Sequence, residues 1–306
     1  MSYDVVVLGE VLIELSSTSP WRRGSALTLG FSGDALNSAA AAAAAGARVA
    51  LLTRVAEDEL GDQLVARIAE LGVDTAQVRR TSGENGVYFV HADPDGAREF
   101  VYVRRGSAAS SLSAEDVRDA AVGNAGVVLA SGVTCALSSS AAGAVRAAAT
   151  SGARFVYDPN FRPRLTSRVD AAAQQRALAP HAELVTPSCA AESSALLGVD
   201  DPRQVVTACR QLGARSVAVT CGADGVWLSD GSHLPSLPAP RLVDQTGAGD
   251  VFVGTVAARL ALGDDLLAAA RLGTAAASLS LAGAGGTGVV PSLAETRAHL
   301  AAAVPA

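Results

Sequence analysis

Lysine is missing from this 306-residue sequence, and all 24 positions of the Lys-plus-Arg class are arginine. Composition bias accounts for that, yet the absence still excludes chemistry. A Walker-type phosphate loop needs its Lys, a protein kinase its strand Lys, and a Schiff-base aldolase an amine. Aromatics are scarce as well, at 4% of a chain that is 49% apolar, so the core must be built largely from Ala, Val and Leu. Cys135, Cys189, Cys209 and Cys221 are scattered with no C-x-x-C pair. That spacing matches no zinc site and no disulfide framework, so reduced, mostly buried thiols are expected. The four histidines, His91, His181, His233 and His299, include no i, i+4 pair, which argues against a metal site. Positive charge is short too: the net charge is -6, and no basic cluster exceeds a pair such as Arg104-Arg105. A nucleic-acid partner, which needs a cationic face, is not expected.

The N-terminus has no basic n-region, and Glu10 interrupts its apolar run, so it does not read as a signal peptide. Two stretches without charge, 120–145 and 272–294, are rich in Gly, Ser, Thr and Ala rather than Leu and Ile. Both read as buried βα units, not bilayer spans. A soluble, cytoplasmic protein with no membrane partner is the expectation.

What is present is an alternation of short β-branched runs with alanine-rich helical stretches. That pattern predicts an α/β fold with a parallel sheet covered on both faces. Strands are expected at 5–8, 48–53, 126–130, 154–157, 184–186 and 216–220. A helix should start at Asp34, run through the alanine block and close at Gly46; another should span 58–71, with Leu60, Leu64, Ile68 and Leu71 on its apolar face. Segments 86–91 and 97–104 read as two strands joined by Asp93-Pro94-Asp95-Gly96, a strong turn signal. With 10–15 and 26–31 they predict a small antiparallel sheet placed as a lid over a site. No linker, repeat or charge run divides 1–306, so one domain is expected, with lid strands drawn from about 10–31 and 86–104.

The sharpest local signal is Asp244-Gln245-Thr246-Gly247-Ala248-Gly249-Asp250, followed by an apolar run from Val251. Small residues before an apolar helix leave the amides of Gly247, Ala248 and Gly249 at its N-terminal end. Unpaired amides and the positive end of the helix dipole make an anion site there without lysine. A carboxylate at Asp250 can take a proton from a hydroxyl attacking a phosphoryl group. The alternative is that Asp250 only caps the helix.

This segment resembles the second signature of the PfkB carbohydrate kinases, the ribokinase-like family, with Gln245 in the usual Thr position. Phe31-Ser32-Gly33-Asp34-Ala35-Leu36-Asn37 resembles the first signature, with Ser32 replacing one Gly, and the two stand in the expected order. Thr220-Cys221-Gly222-Ala223-Asp224-Gly225 is similar to the family's strand-loop beside the nucleotide. The resemblance covers essentially the whole chain. It implies a ribokinase-like three-layer α/β/α sandwich with a small β lid, and transfer of phosphate from ATP with Mg2+. It leaves a monovalent cation such as K+ and the number of subunits open, although relatives often pair through their lid sheets, so a homo-oligomer is expected. In this family Asp250 would be the base, and Thr220, Gly222, Gly225, Gly247 and Gly249 would border ATP.

Within the family the likeness is closest to 2-keto-3-deoxygluconate kinases. Gly33 to Asn37, the run Arg98-Glu99-Phe100-Val101-Tyr102-Val103-Arg104-Arg105-Gly106-Ser107-Ala108-Ala109 and Asp158-Pro159-Asn160-Phe161-Arg162-Pro163-Arg164-Leu165 carry it. It implies a sugar-acid pocket lined by Gly33, Asn37, Tyr88, Tyr102, Arg104 and Arg162. A guanidinium suits a carboxylate substrate, and Tyr102 and Arg104 share strand parity, so both side chains should face one side. The alternative is a solvated Arg104 and a packing Tyr102. Family members commonly carry an Asn-x-x-Glu motif for magnesium and phosphate. Here Ser188 or Cys189 replaces the Asn, and Glu192 would act through water on the metal or else sit on a surface helix. Glu10 and Glu14 lie near the sugar site of relatives, but strand alternation places them ambiguously. Trp227 reads as packing. Rival readings are a kinase for fructose, ribose or a nucleoside, and a non-catalytic sugar-acid sensor. A dinucleotide oxidoreductase is disfavoured, because Gly9-Glu10-Val11-Leu12 lacks the G-x-G-x-x-G cradle.

Overall fold

Buried runs of Val, Leu and Ala set the central layer. A computed structural model describes residues 2–92 and 98–303. The strands are β1 (Val5–Leu8), β2 (Leu12–Ser17), β3 (Thr28–Ser32), β4 (Val49–Ala56), β5 (Val78–Thr81), β6 (Gly86–Ala92) and β7 (Arg98–Val103), then β8 (Val127–Ser131), β9 (Arg154–Asp158), β10 (Ala182–Val185), β11 (Ser216–Thr220), β12 (Val226–Leu228) and β13 (His233–Leu234). Nine form one sheet, ordered β13-β12-β11-β10-β9-β8-β1-β4-β5. Its pairs are parallel from β5 to β11, and β12 and β13 extend it antiparallel.

Alternate residues of each strand serve opposite faces. Val5, Val7, Leu51 and Leu129 pack into one apolar layer with the helices Asp34–Ala44 and Ala248–Ala261; Val6, Leu8, Leu52 and Val128 pack into the other. Each fully buried Val or Leu contributes about 1.5–3 kcal/mol, so a sheet covered on both faces needs few aromatics. The helix Glu59–Glu70 begins where Asp58 accepts a hydrogen bond from Gly61 N–H. Leu64 and Ile68 on it are fully buried, whereas Leu60 in its first turn is exposed.

Two expectations change here. The small sheet, ordered β3-β2-β6-β7, is mixed rather than antiparallel, because β2 and β6 pair in parallel. No hairpin joins those two strands: the chain crosses the main sheet between them and re-enters from the same end. The turn at 93–96 lies outside the described residues. Segment 120–145 contains β8 and its following helix, as a βα unit should. Segment 272–294 instead holds the end of the helix Leu266–Ser280 and a glycine-rich loop. Its glycines let backbone run against the site: a Cβ on Gly286 would sit 2.3 Å from Asn37 Nδ2. Among the described residues no helix is long and apolar enough to cross a membrane.

Candidate active site

The carboxyl ends of the parallel strands open into one cavity of about 770 Å3, closed on its far side by the small sheet. In an open α/β sheet this is where ligands bind, beside the point at which strand order reverses, here β1 between β4 and β8. Asp158 ends β9 and Thr220 ends β11, and both line the cavity.

The segment Gly247 to Asp250 forms the cavity floor. Gly247 is the N-cap of its helix with a left-handed backbone, φ 80°, ψ 0°. Gly249 follows in the first turn, and a Cβ there would touch nothing within 4 Å; the space above that amide is open cavity. Gly247 and Gly249 line the cavity, whereas Ala248 does not, and its N–H points at the Gln245 carbonyl at 3.4 Å. The helix tip therefore offers the cavity fewer than the three consecutive amides expected of an anion site.

Asp250 is 9% exposed. Asn37 Nδ2 donates to its Oδ2 at 2.8 Å, and Asn160 Nδ2 donates to its Oδ1 at 3.3 Å. Ser32 Oγ donates to Asn37 Oδ1 at 3.2 Å, which turns the amide so that its NH2 faces the acid. Burial pushes the Asp250 carboxyl up to about 7, with the Asp34 charge adding to the rise and Asn37, Arg162 and Asn160 opposing it. A buried carboxylate poised near neutrality, with its orientation fixed by two amides, is the form a general base takes.

The wall opposite is the small sheet. Tyr88 and Tyr102 are cross-strand partners whose ring centroids lie 5.7 Å apart, and Phe100 stacks beside Tyr102. Tyr102 and Arg104 both reach the cavity, as their parity implies, with the guanidinium 5.7 Å from the Tyr102 ring centre. Tyr102 is 39% exposed and Arg104 only 8%. Arg104 is no solvated charge: it is ion-paired with Glu10, whose other oxygen accepts from Ser107. Burial pushes the Glu10 carboxyl up, against the opposing charge of Arg104. Tyr88 donates its hydroxyl to Glu14, and burial with that neighbouring acid raises its phenol pKa. Gly33 and Asn37 line the cavity near this wall, and Arg162 stands exposed at the mouth beside Arg164, which bonds to the Phe100 carbonyl.

Glu192 is buried rather than on a surface helix. Its carboxylate accepts from Phe161 N–H at 2.6 Å and Ser188 N–H at 2.8 Å. Burial raises its pKa despite those bonds, and burial with the charges of Glu192 and Asp250 raises Asp158 further. Gly222 and Gly225 are not part of the cavity lining. Gly225 serves the sheet instead: at φ +84°, a Cβ on it would come 2.0 Å from the Leu234 carbonyl oxygen. Trp227 packs between Arg203, 4.7 Å from its ring centre, and His233. Sequence reasoning missed Asn160, Asp34 and Asp158 as neighbours of Asp250. Asn160 had a readable signal in its place within Asp158-Pro159-Asn160, but nothing local aimed it at the acid.

Known carbohydrate kinases are similar to this chain over nearly its whole length. The model of the pfkB family carbohydrate kinases matches residues 2–293. The 2-dehydro-3-deoxygluconokinase of Thermoproteus tenax is 33% identical over 94% of this chain and 91% of its own. Fructokinase-1 of Zea mays is 30% identical over 84% of this chain and 82% of its own. A putative ribokinase II of Escherichia coli, solved in complex with ATP and Mg2+, superposes with a TM-score of 0.87 at 24% identity, covering 99% of this chain and 100% of that one.

Proposed function

We infer the reaction from one premise: the chain belongs to the pfkB family of carbohydrate kinases, folds as its ribokinase-like members do, and is an ATP-dependent sugar kinase. The acceptor we propose is a sugar acid, 2-keto-3-deoxygluconate, phosphorylated on its terminal hydroxyl to the 6-phosphate. The observation that supports it is one cavity with the Asp250 carboxylate at its floor and the guanidinium groups of Arg104 and Arg162 at its walls. Guanidinium is the side chain best matched to a carboxylate.

In this reading 1–306 acts as one kinase domain and the small sheet is its lid. The acid end of the sugar lies against Tyr88, Tyr102 and Arg104, with Arg162 at the mouth, and its terminal hydroxyl reaches Asp250. Asn37 and Asn160 hold that carboxylate while it takes the hydroxyl proton. The N–H groups at Gly247 and Gly249 face the phosphoryl group in transit, where preorganised donors stabilise developing charge. ATP lies toward Thr220. Magnesium bound with ATP neutralises phosphate charge. The buried acids Glu192 and Asp158 fit such an ion, Glu192 through water, since backbone amides already occupy its oxygens.

A second reading, a neutral sugar such as fructose, draws on the Glu10 carboxylate that already balances the charge of Arg104. The test is ADP release with sugar acids and neutral sugars side by side, on wild type and Arg104→Ala. The sugar-acid proposal expects the variant to raise KM for the acid at least tenfold more than KM for ATP, on the order of one lost charged contact. A preference for fructose, or equal effects on both KM values, sinks it.

A further inference from the structure

Beyond β10 and β11 the chain holds a feature that phosphoryl transfer does not use. Thr220 N–H donates to the Pro187 carbonyl at 3.0 Å and Cys189 N–H donates to the Thr220 carbonyl at 2.8 Å, so Ser188 and Thr220 pair as one parallel bridge past the strand ends. Ser188 and Thr220 both line the cavity. The next residues on the two segments are Cys189 and Cys221, and side chains alternate along extended chain. The two cysteines therefore lie side by side on the face turned away from the cavity, where Cys189 Sγ donates to the Asp200 carbonyl at 2.8 Å and Cys221 Sγ to the Val219 carbonyl at 3.9 Å. Adjacent extended segments run about 4.8 Å apart, and Cα separations of about 4.4–6.8 Å suit a disulfide. Both thiols are half-buried and reachable, whereas Cys135 and Cys209 are buried. Burial pushes Cys221 up to about 12, with Cys189, Asp224 and Asp201 adding to the rise.

We propose that Cys189 and Cys221 are an oxidant-sensitive thiol pair whose closure to a disulfide slows the kinase by distorting the rim that carries Ser188 and Thr220. The acidic surroundings select the oxidant class. Asp201 and Asp224 repel anionic disulfides, so an uncharged peroxide is the reactant. The Cys189 sulfur, as thiolate, attacks one peroxide oxygen; the O–O bond breaks, water leaves after protonation, and Cys189 becomes a sulfenic acid. The Cys221 sulfur then loses its proton and attacks Cys189 Sγ, the S–O bond breaks and a second water leaves. Two thiols are oxidised by two electrons, and one peroxide is reduced to two waters. The rim moves with the link because Ser188 N–H anchors Glu192 and Thr220 is bonded to both neighbours of Ser188. A misplacement of about 1 Å in an active site can cost about a hundredfold in rate.

The test uses the full chain, reduced with dithiothreitol and then treated with hydrogen peroxide. The expected product is about 2 Da lighter, with non-reducing peptide maps joining Cys189 to Cys221. ADP release should fall about tenfold or more and recover with dithiothreitol. Cys221→Ser should keep its basal turnover, show no 2-Da loss, and gain oxygen at Cys189 instead. Cys189→Ala, read by mass alone, provides a second check should the first variant fold poorly. Free thiols at both positions after treatment, or a link through Cys135 or Cys209, overturns the pair. A formed link with unchanged turnover, or equal losses in wild type and Cys221→Ser, overturns the effect on the rim.

Discussion

Replacing Asp250 with Asn should cut turnover steeply and stabilise the protein at neutral and higher pH, and the two effects share one cause. Burial and the Asp34 charge push the Asp250 carboxyl from an ordinary 3.8 up to about 7. Ionising it in the folded chain is therefore harder than in the unfolded one, by roughly 4 kcal/mol once both are fully deprotonated. The sign follows from proton counts. Between pH 3.8 and about 7 the folded state binds more protons, so stability falls as pH rises, and the full penalty is present above about 7. Asn carries no such penalty, but its NH2 must face the amide donor of Asn37 or Asn160, a mismatch of about 1–3 kcal/mol. The mismatch does not depend on pH. Urea unfolding should thus show the variant's relative stability dropping by roughly 2–3 kcal/mol between pH 8 and pH 5. Catalysis should fall about 10²–10⁴-fold in kcat, the usual range for a general base, with ATP affinity nearly unchanged. In the wild type, kcat/KM should lose activity as pH drops through about 7. A variant with near-normal kcat removes the base assignment; a stability difference flat in pH removes the buried-acid account.

Gly249→Ala separates fold from function, because its methyl enters open cavity rather than packed protein. Thermal unfolding should be unchanged or improved by up to about 1 kcal/mol, while kcat/KM falls about a hundredfold if that amide meets the phosphoryl group; wild-type activity would place the phosphate elsewhere. Glu10→Gln strips the counter-charge from Arg104, whose side chain is only 6% exposed. Denaturant titration should show about 3–5 kcal/mol lost, and a loss below about 1 kcal/mol would mean that the pair is not desolvated.

Much of the fold was legible because local chemistry and tertiary position agree. The run at 5–8 is apolar throughout and that at 216–220 is apolar at its three buried central positions, which is what a strand buried on both faces requires, and both are strands with those bounds. Asp58 and Gly46 mark helix ends that need nothing beyond a capping side chain and a positive φ of 97°. The parity of Tyr102 and Arg104 needed only the pleat. Where pairing depends on a distant segment, the local pattern is silent. No feature of β2 shows that its neighbour will be β6 in parallel, since that follows from the path of the chain through β4 and β5. The short β12 and β13 extend the sheet through three and two residue pairs, too few residues to declare a period.

The candidate site divides along the same line. Residues proposed to act through backbone, such as Gly247 and Gly249, advertise themselves because only a small side chain leaves the amides reachable. Residues that act through charge do not, because their effect depends on what else is buried nearby. Asp250 gains its raised pKa from burial and from Asp34, more than two hundred positions away in the sequence and hydrogen-bonded by Ser131. Its orientation comes from Asn37, on the same helix as Asp34, and from Asn160 on a further segment. Arg104 shows the converse. Its place on the small sheet was readable, but Glu10 approaches it from the turn after β1 and absorbs its charge inside the wall. The cavity's balance of charge therefore rests on pairs assembled from four separate stretches of chain. Acceptor selectivity should follow those pairs more closely than any one arginine, and exchanging Arg104 alone should not convert the proposed sugar-acid site into a neutral-sugar site while Glu10 stays buried behind it without its counter-charge.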